Sequence, residues 1–224
     1  MSGEQAARLV WYFDFVSPYA YLQFAAYPQL VKSAELRPVL FAGLLNHWGS
    51  KGPAEIEAKR LQTYRFTYWQ ARRQGIVLRY PPAHPFNPIH ALRLALALDC
   101  RFDAIGTIFE FIWKEGRSVG DEWPALIARL GLEPAAADAM IAAQQVKDAL
   151  SANGRKAIDR GVYGVPTFDA LRERPDASGV QAGELFWGLD ATAMLLDYIA
   201  RPALFDEAEM RRIARLPVGA ARKS

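Results

Sequence analysis

The side chains that could carry out chemistry in this sequence are few, and the thiol is the easiest to judge. The chain has a single cysteine, Cys100, which lies in an apolar segment with Leu96 and Leu98. An intrachain disulfide, a redox-active cysteine pair and a thiolate zinc site are therefore excluded. We interpret Cys100 as a packed, unreactive residue. If the protein uses thiol chemistry, the thiol must come from another molecule.

A hydroxyl group occupies a more suggestive position. Ser17-Pro18 directly follows an apolar run from Leu9 to Phe15. Serine is a favoured N-cap and proline is well tolerated at the first helical position, so the pair predicts the start of a helix. The amino end of a helix also favours a bound anion. From this dipeptide alone, Ser17 is either a helix cap or a contact to a ligand.

The remaining chemical motifs are weak. The three histidines, His47, His84 and His90, have no metal-type spacing, and no acidic pair accompanies them, so we predict no metal site. The sequence also lacks a glycine-rich phosphate loop and a Gly-x-Ser-x-Gly elbow. The common nucleotide-binding and hydrolase motifs are thus missing.

The elements that must position Ser17 form a strand-helix-strand unit. The segment from Leu9 to Phe15 is β-branched and aromatic with little alternation, which is typical of a strand covered on both faces. A helix follows from Ser17, and a second strand is predicted from Leu36 to Ala42. A right-handed crossover would make the two strands parallel.

The middle of the chain has helical periodicity throughout. From about Gly52 to Asn153, apolar residues recur at intervals of three and four. Three stripes are expected to be core faces: Leu61, Tyr64, Tyr68 and Ala71; Ile89, Leu92 and Leu96; and Phe102, Ile105, Phe109 and Ile112. Helix ends at Gly75 and Gly131 fit this pattern. Residues 52–153 are therefore predicted to form an inserted helical domain.

The end of the chain returns to strands. Gly161 to Phe168 leads from a turn into a strand, and Glu184 to Gly188 is a second strand after a polar loop from Arg172 to Gly179. Asp190 is expected to cap a last helix. The predicted fold class is α/β, with one domain formed by residues 1–51 and 154–224 and interrupted by the all-helical domain.

Three motifs carry a specific resemblance. Phe13-Asp-Phe-Val-Ser-Pro-Tyr-Ala-Tyr21, His84-Pro-Phe-Asn-Pro88 and Gly164-Val-Pro-Thr-Phe168 resemble landmarks of a superfamily with three branches: DsbA-like proteins, kappa-class glutathione transferases and 2-hydroxychromene-2-carboxylate isomerases. Their order and spacing cover nearly the whole chain. The resemblance implies a thioredoxin-like domain interrupted by an all-helical domain.

The resemblance also implies glutathione as the cofactor. In the redox members a cysteine stands where this chain has Ser17, and here the serine hydroxyl would donate a hydrogen bond to the glutathione sulfur. The backbone of Val165, before a cis proline at Pro166, would pair with the cysteinyl part of glutathione. The rest of the tripeptide would contact Trp187, Gly188, Leu189 and Asp190. Asp190 would bind the γ-glutamyl amine, although its role could be limited to capping the helix.

The substrate would lie between the two domains and face the sulfur. The resemblance places Tyr19, Asn46, Trp48 and Asn87 at this position. Asn46 stands where a lysine is expected, and Ala191 stands where relatives commonly have arginine. The first departure affects the expected contact with a substrate carboxylate, and the second affects the expected affinity for glutathione. Asn87 is either a substrate donor or the cap of the helix that begins near Pro88.

The implied function is a glutathione-dependent isomerase that resembles 2-hydroxychromene-2-carboxylate isomerase. It would act on an aromatic or conjugated carboxylic acid by reversible thiolate addition. A kappa-class-like transferase that conjugates or reduces small electrophiles is the alternative, and a non-enzymatic binding module is a third hypothesis. A protein disulfide oxidoreductase is the least compatible with the sequence, since Cys100 is far from the helix start.

Composition limits the partners and the compartment. Of the 224 residues, 51% are hydrophobic and 23% charged, with a formal net charge of +3, which is typical of a globular protein. The basic residues near the C-terminus are interpreted as a solvated end, so neither nucleic acid nor a membrane is an expected partner. No signal peptide or membrane span is recognisable, which predicts a cytoplasmic protein. A homodimer is expected because dimers are common among relatives.

Overall fold

In the described residues the sheet has four strands, which follow one another along the chain as the sequence predicts. The computed structural model describes residues 8–171 and 183–220. The strands are β1 (Arg8–Phe13), β2 (Glu35–Pro38), β3 (Thr167–Leu171) and β4 (Gly183–Trp187). They are arranged as β2-β1-β3-β4, with β1 and β2 parallel and the β1–β3 and β3–β4 pairs antiparallel. The predicted strand-helix-strand unit and the later strand pair are confirmed.

Helices fill the connections around this sheet. Three lie before the insertion and six within it or at its end: α1 (Pro18–Ala26), α2 (Pro28–Lys32), α3 (Phe41–Trp48), α4 (Glu57–Arg73), α5 (Ile89–Ala97), α6 (Phe102–Phe109), α7 (Trp123–Arg129), α8 (Pro134–Ala142) and α9 (Gln144–Asp159). The last two are α10 (Thr192–Ala200) and α11 (Ala208–Ile213). The predicted boundary between residues 153 and 154 falls within α9, so the division into two domains stays a prediction.

The inserted helices pack directly on the sheet. Trp11 and Phe13 on β1 stack at 4.6 Å between ring centroids, and Phe109 of α6 contacts both rings. The indole N–H of Trp113 donates to the carbonyl oxygen of Phe15 at 2.8 Å. Val10 faces the other side of β1 and belongs to a second buried cluster. Both faces of β1 are therefore covered, as its sequence predicts.

The predicted second strand is wrong at its carboxyl end. The strand stops at Pro38, and Phe41 begins α3, which the sequence analysis did not predict. The helix has no side-chain cap from its own N-terminal residues. Instead, Oδ2 of Asp14 accepts the N–H of Phe41 at 2.8 Å, from 27 positions earlier in the chain. A cap from a distant residue leaves no local sequence signal.

The first predicted core stripe is also wrong in part. Leu61 and Tyr68 are 49% and 51% exposed. Ala71 of this stripe is buried and Tyr64 is half-buried, and α4 also buries Thr67, which the stripe did not include. The other two stripes agree better with the core, since residues such as Leu92 and Ile105 are fully buried. Apolar periodicity identified these helices, but in α4 it identified the buried face only in part.

The last helix begins one residue later than predicted. Its N-cap is Ala191, which provides no side-chain hydrogen bond, so Asp190 is not the cap. The hydroxyl of Thr192 donates to the carbonyl oxygen of Leu189 at 2.7 Å and closes the turn before the helix. The carboxylate of Asp190 is therefore available for another role.

Two features of the sequence analysis lie in segments that the structure does not describe. The predicted polar loop from Arg172 to Gly179 and the basic residues Arg222 and Lys223 lie outside the described residues. Within residues 8–171 and 183–220, no helix has the length and apolar character needed to cross a membrane.

A buried glutamine joins the first strand, the first helix and the loop before α10. Oε1 of Gln23 accepts the indole N–H of Trp11 at 2.6 Å. Its amide nitrogen donates to Oγ1 of Thr192 at 2.8 Å and to the carbonyl oxygen of Gly188 at 3.3 Å. The side chains of Trp11, Gln23 and Thr192 and the backbone of Gly188 all lie in or next to the core. An unpaired polar group there would lower the stability of the fold.

We expect Gln23→Ala to lower the free energy of unfolding by about 2 to 4 kcal/mol, because it leaves the indole N–H of Trp11 buried and unpaired. Chemical denaturation of the variant and the wild type measures this difference. Gln29→Ala, at an exposed position on α2, is the matched control and should change stability by less than about 0.5 kcal/mol. Equal effects of the two substitutions would contradict the role given to Gln23.

Candidate functional site

A cavity of about 560 Å³ lies where the carboxyl end of β1 faces the inserted helices. Its wall comes from residues 14–19, from α3 and the turn at 52–55, from α4 and from residues 84–89. Five of the residues predicted for the site line it: Ser17, Tyr19, Asn87, Val165 and Trp187. The structure therefore brings the predicted thiol-binding and substrate-binding parts to one cavity.

Ser17 begins α1 at the inner end of this cavity. It is 6% exposed, and Pro18 follows it at the first helical position. Oγ of Ser17 accepts the N–H of Ala20 at 3.2 Å, so the residue is an N-cap as predicted. The same hydroxyl contacts the carbonyl oxygen of Val165 at 3.5 Å, beyond the usual length of such a bond. Its proton is thus held only weakly and can be donated to a ligand.

The peptide bond between Val165 and Pro166 is cis, as predicted. This turn lies directly opposite Ser17, 148 positions away in sequence. A Cβ atom at Gly164 would lie 2.4 Å from the indole nitrogen of Trp187. Glycine at this position therefore allows Trp187 to lie against the turn and form part of the cavity wall.

The segment after Trp187 lies beside the cavity. Gly188 adopts a φ of +95° and donates its N–H to the carbonyl oxygen of Pro166 at 2.8 Å. Leu189 is buried, while Asp190 is exposed. Burial raises the pKa of the Tyr19 hydroxyl, and the negative charge of Asp190 raises it further. Asp190 is thus close to the cavity, although Gly188, Leu189 and Asp190 do not line it.

Two predicted substrate contacts lie away from the cavity. Asn46 is exposed on α3, and its neighbour Leu45 lines the wall instead. The indole N–H of Trp48 donates to the carbonyl oxygen of Val162 at 3.0 Å, outside the lining residues. Asn87 does line the cavity, and its Oδ1 also accepts the N–H of Ile89 at 3.1 Å. The N-cap of α5 is Pro88, so Asn87 supports the start of this helix from one residue earlier, and its substrate role stays a prediction.

The sequence analysis missed Asp14. This carboxyl group lines the cavity but is fully buried from solvent. Oδ1 accepts the N–H of Val16 at 3.0 Å, and Oδ2 accepts the N–H of Phe41 at 2.8 Å. Burial raises the pKa of Asp14 to about 7, and these two donors offset only part of that effect. An acidic residue between Phe13 and Phe15 was the available sequence signal.

His84 fixes the loop that leads to Ser17. Its Nε2 lies 2.9 Å from the carbonyl oxygen of Val16, which can only accept, so Nε2 carries a proton. Burial lowers the pKa of His84 and thereby favours the neutral ring. The hydroxyl oxygen of Tyr64 lies 2.8 Å from Nδ1 and 2.9 Å from the carbonyl oxygen of His84, so both can accept its one proton. His84 has a positioning role in this arrangement.

Other reactive side chains offer little additional chemistry. Burial raises the pKa of Cys100 to about 11, which keeps its thiol protonated at neutral pH. Within the described ranges, no three His, Cys, Asp or Glu side chains are grouped so that they could hold a metal ion.

The sheet order, the cis proline before β3 and the helix that begins at Ser17 define a thioredoxin fold with inserted helices. A family model described as a DSBA-like thioredoxin domain matches residues 8–200. The chain belongs to this DSBA-like thioredoxin family. The fold predicted from the sequence is thereby confirmed.

Solved structures with this fold include proteins of several activities. A 2-hydroxychromene-2-carboxylate isomerase has a TM-score of 0.70 at 20% identity, over 90% of this chain and 98% of that chain. A probable DsbA oxidoreductase from Streptomyces coelicolor has a TM-score of 0.62 and 18% sequence identity. The match covers 96% of this chain and 94% of that chain. The cytosolic disulfide reductase DsbM from Pseudomonas aeruginosa, solved with glutathione, has a TM-score of 0.55 and 17% sequence identity. The match covers 93% of this chain and 100% of that chain. No curated protein sequence matches the chain.

The buried Asp14 gives a prediction for stability against pH. Its pKa is raised from 3.8 to about 7 in the folded protein, so between these values the folded state holds a proton that the unfolded state has lost. The contribution of Asp14 to stability is therefore full below about pH 4 and is lost as the pH rises to about 7. The loss is at most about 4 kcal/mol.

Asp14→Asn should remove this dependence. We expect the free energy of unfolding of the wild type, relative to the variant, to decrease between pH 4 and pH 8. Denaturant titrations at intervals of one pH unit measure the difference, with the exposed Asp121→Asn as a control for general loss of charge. A constant difference across this range would show that Asp14 ionises as in water.

Proposed function

We propose that this protein is a glutathione-dependent isomerase of aromatic or conjugated carbonyl compounds, of the class to which 2-hydroxychromene-2-carboxylate belongs. The observation that carries the proposal is the position of Ser17. Its hydroxyl stands at the start of α1, faces the cis Val165–Pro166 turn and opens into the cavity. A hydroxyl and a helix start at this position can hold a thiolate without exchanging disulfides with it.

The residues beside the cavity fit the chemical groups of glutathione. The weakly held Ser17 hydroxyl and the helix start suit a sulfur anion. The backbone of Val165 reaches the cavity next to them and can pair with a peptide group. The exposed carboxylate of Asp190 suits the γ-glutamyl amine. These three contacts follow the chain of the tripeptide from its thiol to its amino end.

The protein's own groups have distinct tasks in this reaction. When bound, glutathione would supply a thiolate nucleophile for reversible addition to a conjugated double bond of the substrate. Ser17 and the start of α1 stabilise the negative charge on sulfur. Tyr19, which remains protonated at neutral pH, lines the cavity where it can donate to a substrate oxygen. The apolar side chains of the wall exclude water.

The comparisons support this proposal at the level of the fold. The isomerase with a TM-score of 0.70 covers nearly the same length, and the related fold of DsbM was solved with glutathione. A disulfide reductase needs a cysteine at the helix start, where this chain has Ser17. A kappa-class-like transferase would use the same thiolate but would release a conjugate.

The products distinguish the isomerase from the transferase. Purified protein is incubated with 2-hydroxychromene-2-carboxylate and with its methyl ester, each with and without glutathione, and the products are followed by mass spectrometry. We expect isomers of unchanged mass that form only with glutathione. A stable adduct would favour the transferase, and no glutathione-dependent conversion of either compound would refute the proposed function.

Ser17→Ala tests the proposed role of the hydroxyl. We expect kcat/KM for the isomerisation to fall about 100-fold, because the glutathione sulfur loses the hydrogen-bond donor that stabilises its thiolate form. The variant should still fold, since alanine removes only one helix cap, at a cost of about 1 kcal/mol. Ser33→Ala, an exposed serine at the end of α2, is the control and should leave the rate unchanged. Unchanged activity in Ser17→Ala would refute the mechanism.

The expected homodimer has a candidate surface on α4. This face exposes Phe66, Tyr68 and Trp69, which is unusual for a helix in contact only with water. Phe66 and Trp69 lie one turn apart and stack on each other, with 5.8 Å between their ring centroids. A twofold pairing of two α4 helices would cover this aromatic pair with the same pair of the other copy. The occupant that we propose for this face is therefore a second copy of the chain.

Trp69→Glu tests this surface. We expect the wild type to have the mass of a dimer by light scattering and the variant to have the mass of a monomer at the same micromolar concentration, because a charge replaces an apolar contact. Val218→Glu, at a highly exposed position far along the chain, should remain dimeric. A monomeric wild type, or a dimeric Trp69→Glu variant, would contradict the proposed interface.

A further inference from the structure

The charges around the cavity are arranged unfavourably for an acidic substrate. Two carboxyl groups belong to the wall, Asp14 at the inner end and Glu55 in the turn before α4. Apolar side chains such as Phe41 and Phe86 make up most of the remaining surface. Among the described residues that line the cavity, none is a lysine or an arginine.

Glu55 is held in place by the backbone. Its Oε1 accepts the N–H of Gly52 at 2.6 Å and closes the short turn at residues 53–55. Gly52, Ala54 and Glu55 all line the cavity, so the hydrogen bond holds this carboxylate at the wall, at a position that is exposed to solvent. A fixed negative charge repels a substrate carboxylate that enters beside it.

The position expected to supply a counter-charge does not supply one. Asn46, in place of the expected lysine, is exposed on α3, and the wall there is formed by Leu45. A cation does lie nearby: the charge of Arg60 on α4 contributes to lowering the pKa of His84, behind the effect of burial. Arg60 does not line the cavity, whereas Glu55 does.

From this arrangement we infer that the cavity selects neutral conjugated substrates, such as aryl enones, lactones or esters, over free carboxylates, and that Glu55 determines this selectivity. The inference rests on the proposed glutathione-dependent isomerisation and specifies its substrate class. Apolar walls bind the neutral aromatic or conjugated part. Discrimination against the acid comes from the unfavourable charge.

The test compares a matched pair of substrates. The acid and the methyl ester of 2-hydroxychromene-2-carboxylate are assayed separately with saturating glutathione, and kcat/KM is determined for each. We expect the wild type to favour the ester about tenfold. Because the charge of Glu55 is partly exposed to solvent, this preference should decrease as the salt concentration rises. An enzyme that prefers the acid would contradict the inference while leaving the isomerase proposal intact.

Glu55→Gln tests the residue itself. The glutamine can still accept the N–H of Gly52, so the turn is preserved, but the charge is removed. We expect the ester-to-acid ratio of kcat/KM to fall about tenfold, mainly through a lower KM for the acid. Glu133→Gln, an exposed carboxylate at the start of α8, is the control and should keep the wild-type ratio.

Two outcomes would overturn the assignment to Glu55. One is an unchanged ratio in Glu55→Gln. The other is a wild type that prefers the acid, together with an Arg60→Met variant that does not. That result would show that the charge of Arg60 reaches the substrate. If neither compound reacts in a glutathione-dependent way, the proposed function fails, and that result is distinct from both.

Discussion

The site depends on one buried carboxyl group that must be satisfied without a cation. Asp14 is fully buried, and in the described structure its two oxygens accept the N–H groups of Val16 and Phe41. The first bond fixes the turn that leads to Ser17, and the second caps α3. Removing a carboxylate from water is costly, so both segments are held where these donors reach it. One side chain thus sets the relative positions of the hydroxyl and of the cavity wall.

The helix α1 connects the two halves of the proposed thiol site. Its first turn presents Ser17 to the cavity, while Gln23, one and a half turns later, binds Gly188 and Thr192. Gly188 in turn donates to Pro166, whose cis peptide bond faces Ser17. A shift of α1 would therefore move the hydroxyl and the segment containing Asp190 together. Their geometry is preserved because they share one rigid support.

Features with local sequence signals were predicted well. The Ser17-Pro18 helix start and the four strand segments follow from residue types next to one another. The cis Val165–Pro166 bond was expected from the family resemblance carried by the motif from Gly164 to Phe168. The missed features depend on partners far away in sequence. The α3 helix needs a cap from Asp14, and Gln23 gains its importance only when Trp11 and Thr192 lie beside it.

The substrate side was predicted less well for a related reason. Motif matching placed Asn46 and Trp48 at the cavity, yet both are exposed on α3 and Leu45 lines the wall. A helix turns by about 100° per residue, so neighbours in sequence point in different directions. The family resemblance identified positions along the chain. Which side chain at these positions faces the cavity depends on α3, a helix that the sequence analysis did not predict.

The replacement of a thiol by a hydroxyl separates two properties of the thioredoxin fold. The start of α1 keeps its ability to stabilise an anion, since that ability resides in the backbone and in the helix dipole. The capacity for disulfide exchange is lost with the cysteine, and Cys100 cannot restore it because burial keeps its thiol protonated. Under the proposed function, the start of α1 would hold the thiolate of another molecule, beside a cavity whose carboxylate Glu55 comes from the inserted segment. The thioredoxin part would then provide the environment of the nucleophile, and the inserted helices would contribute to the choice of electrophile.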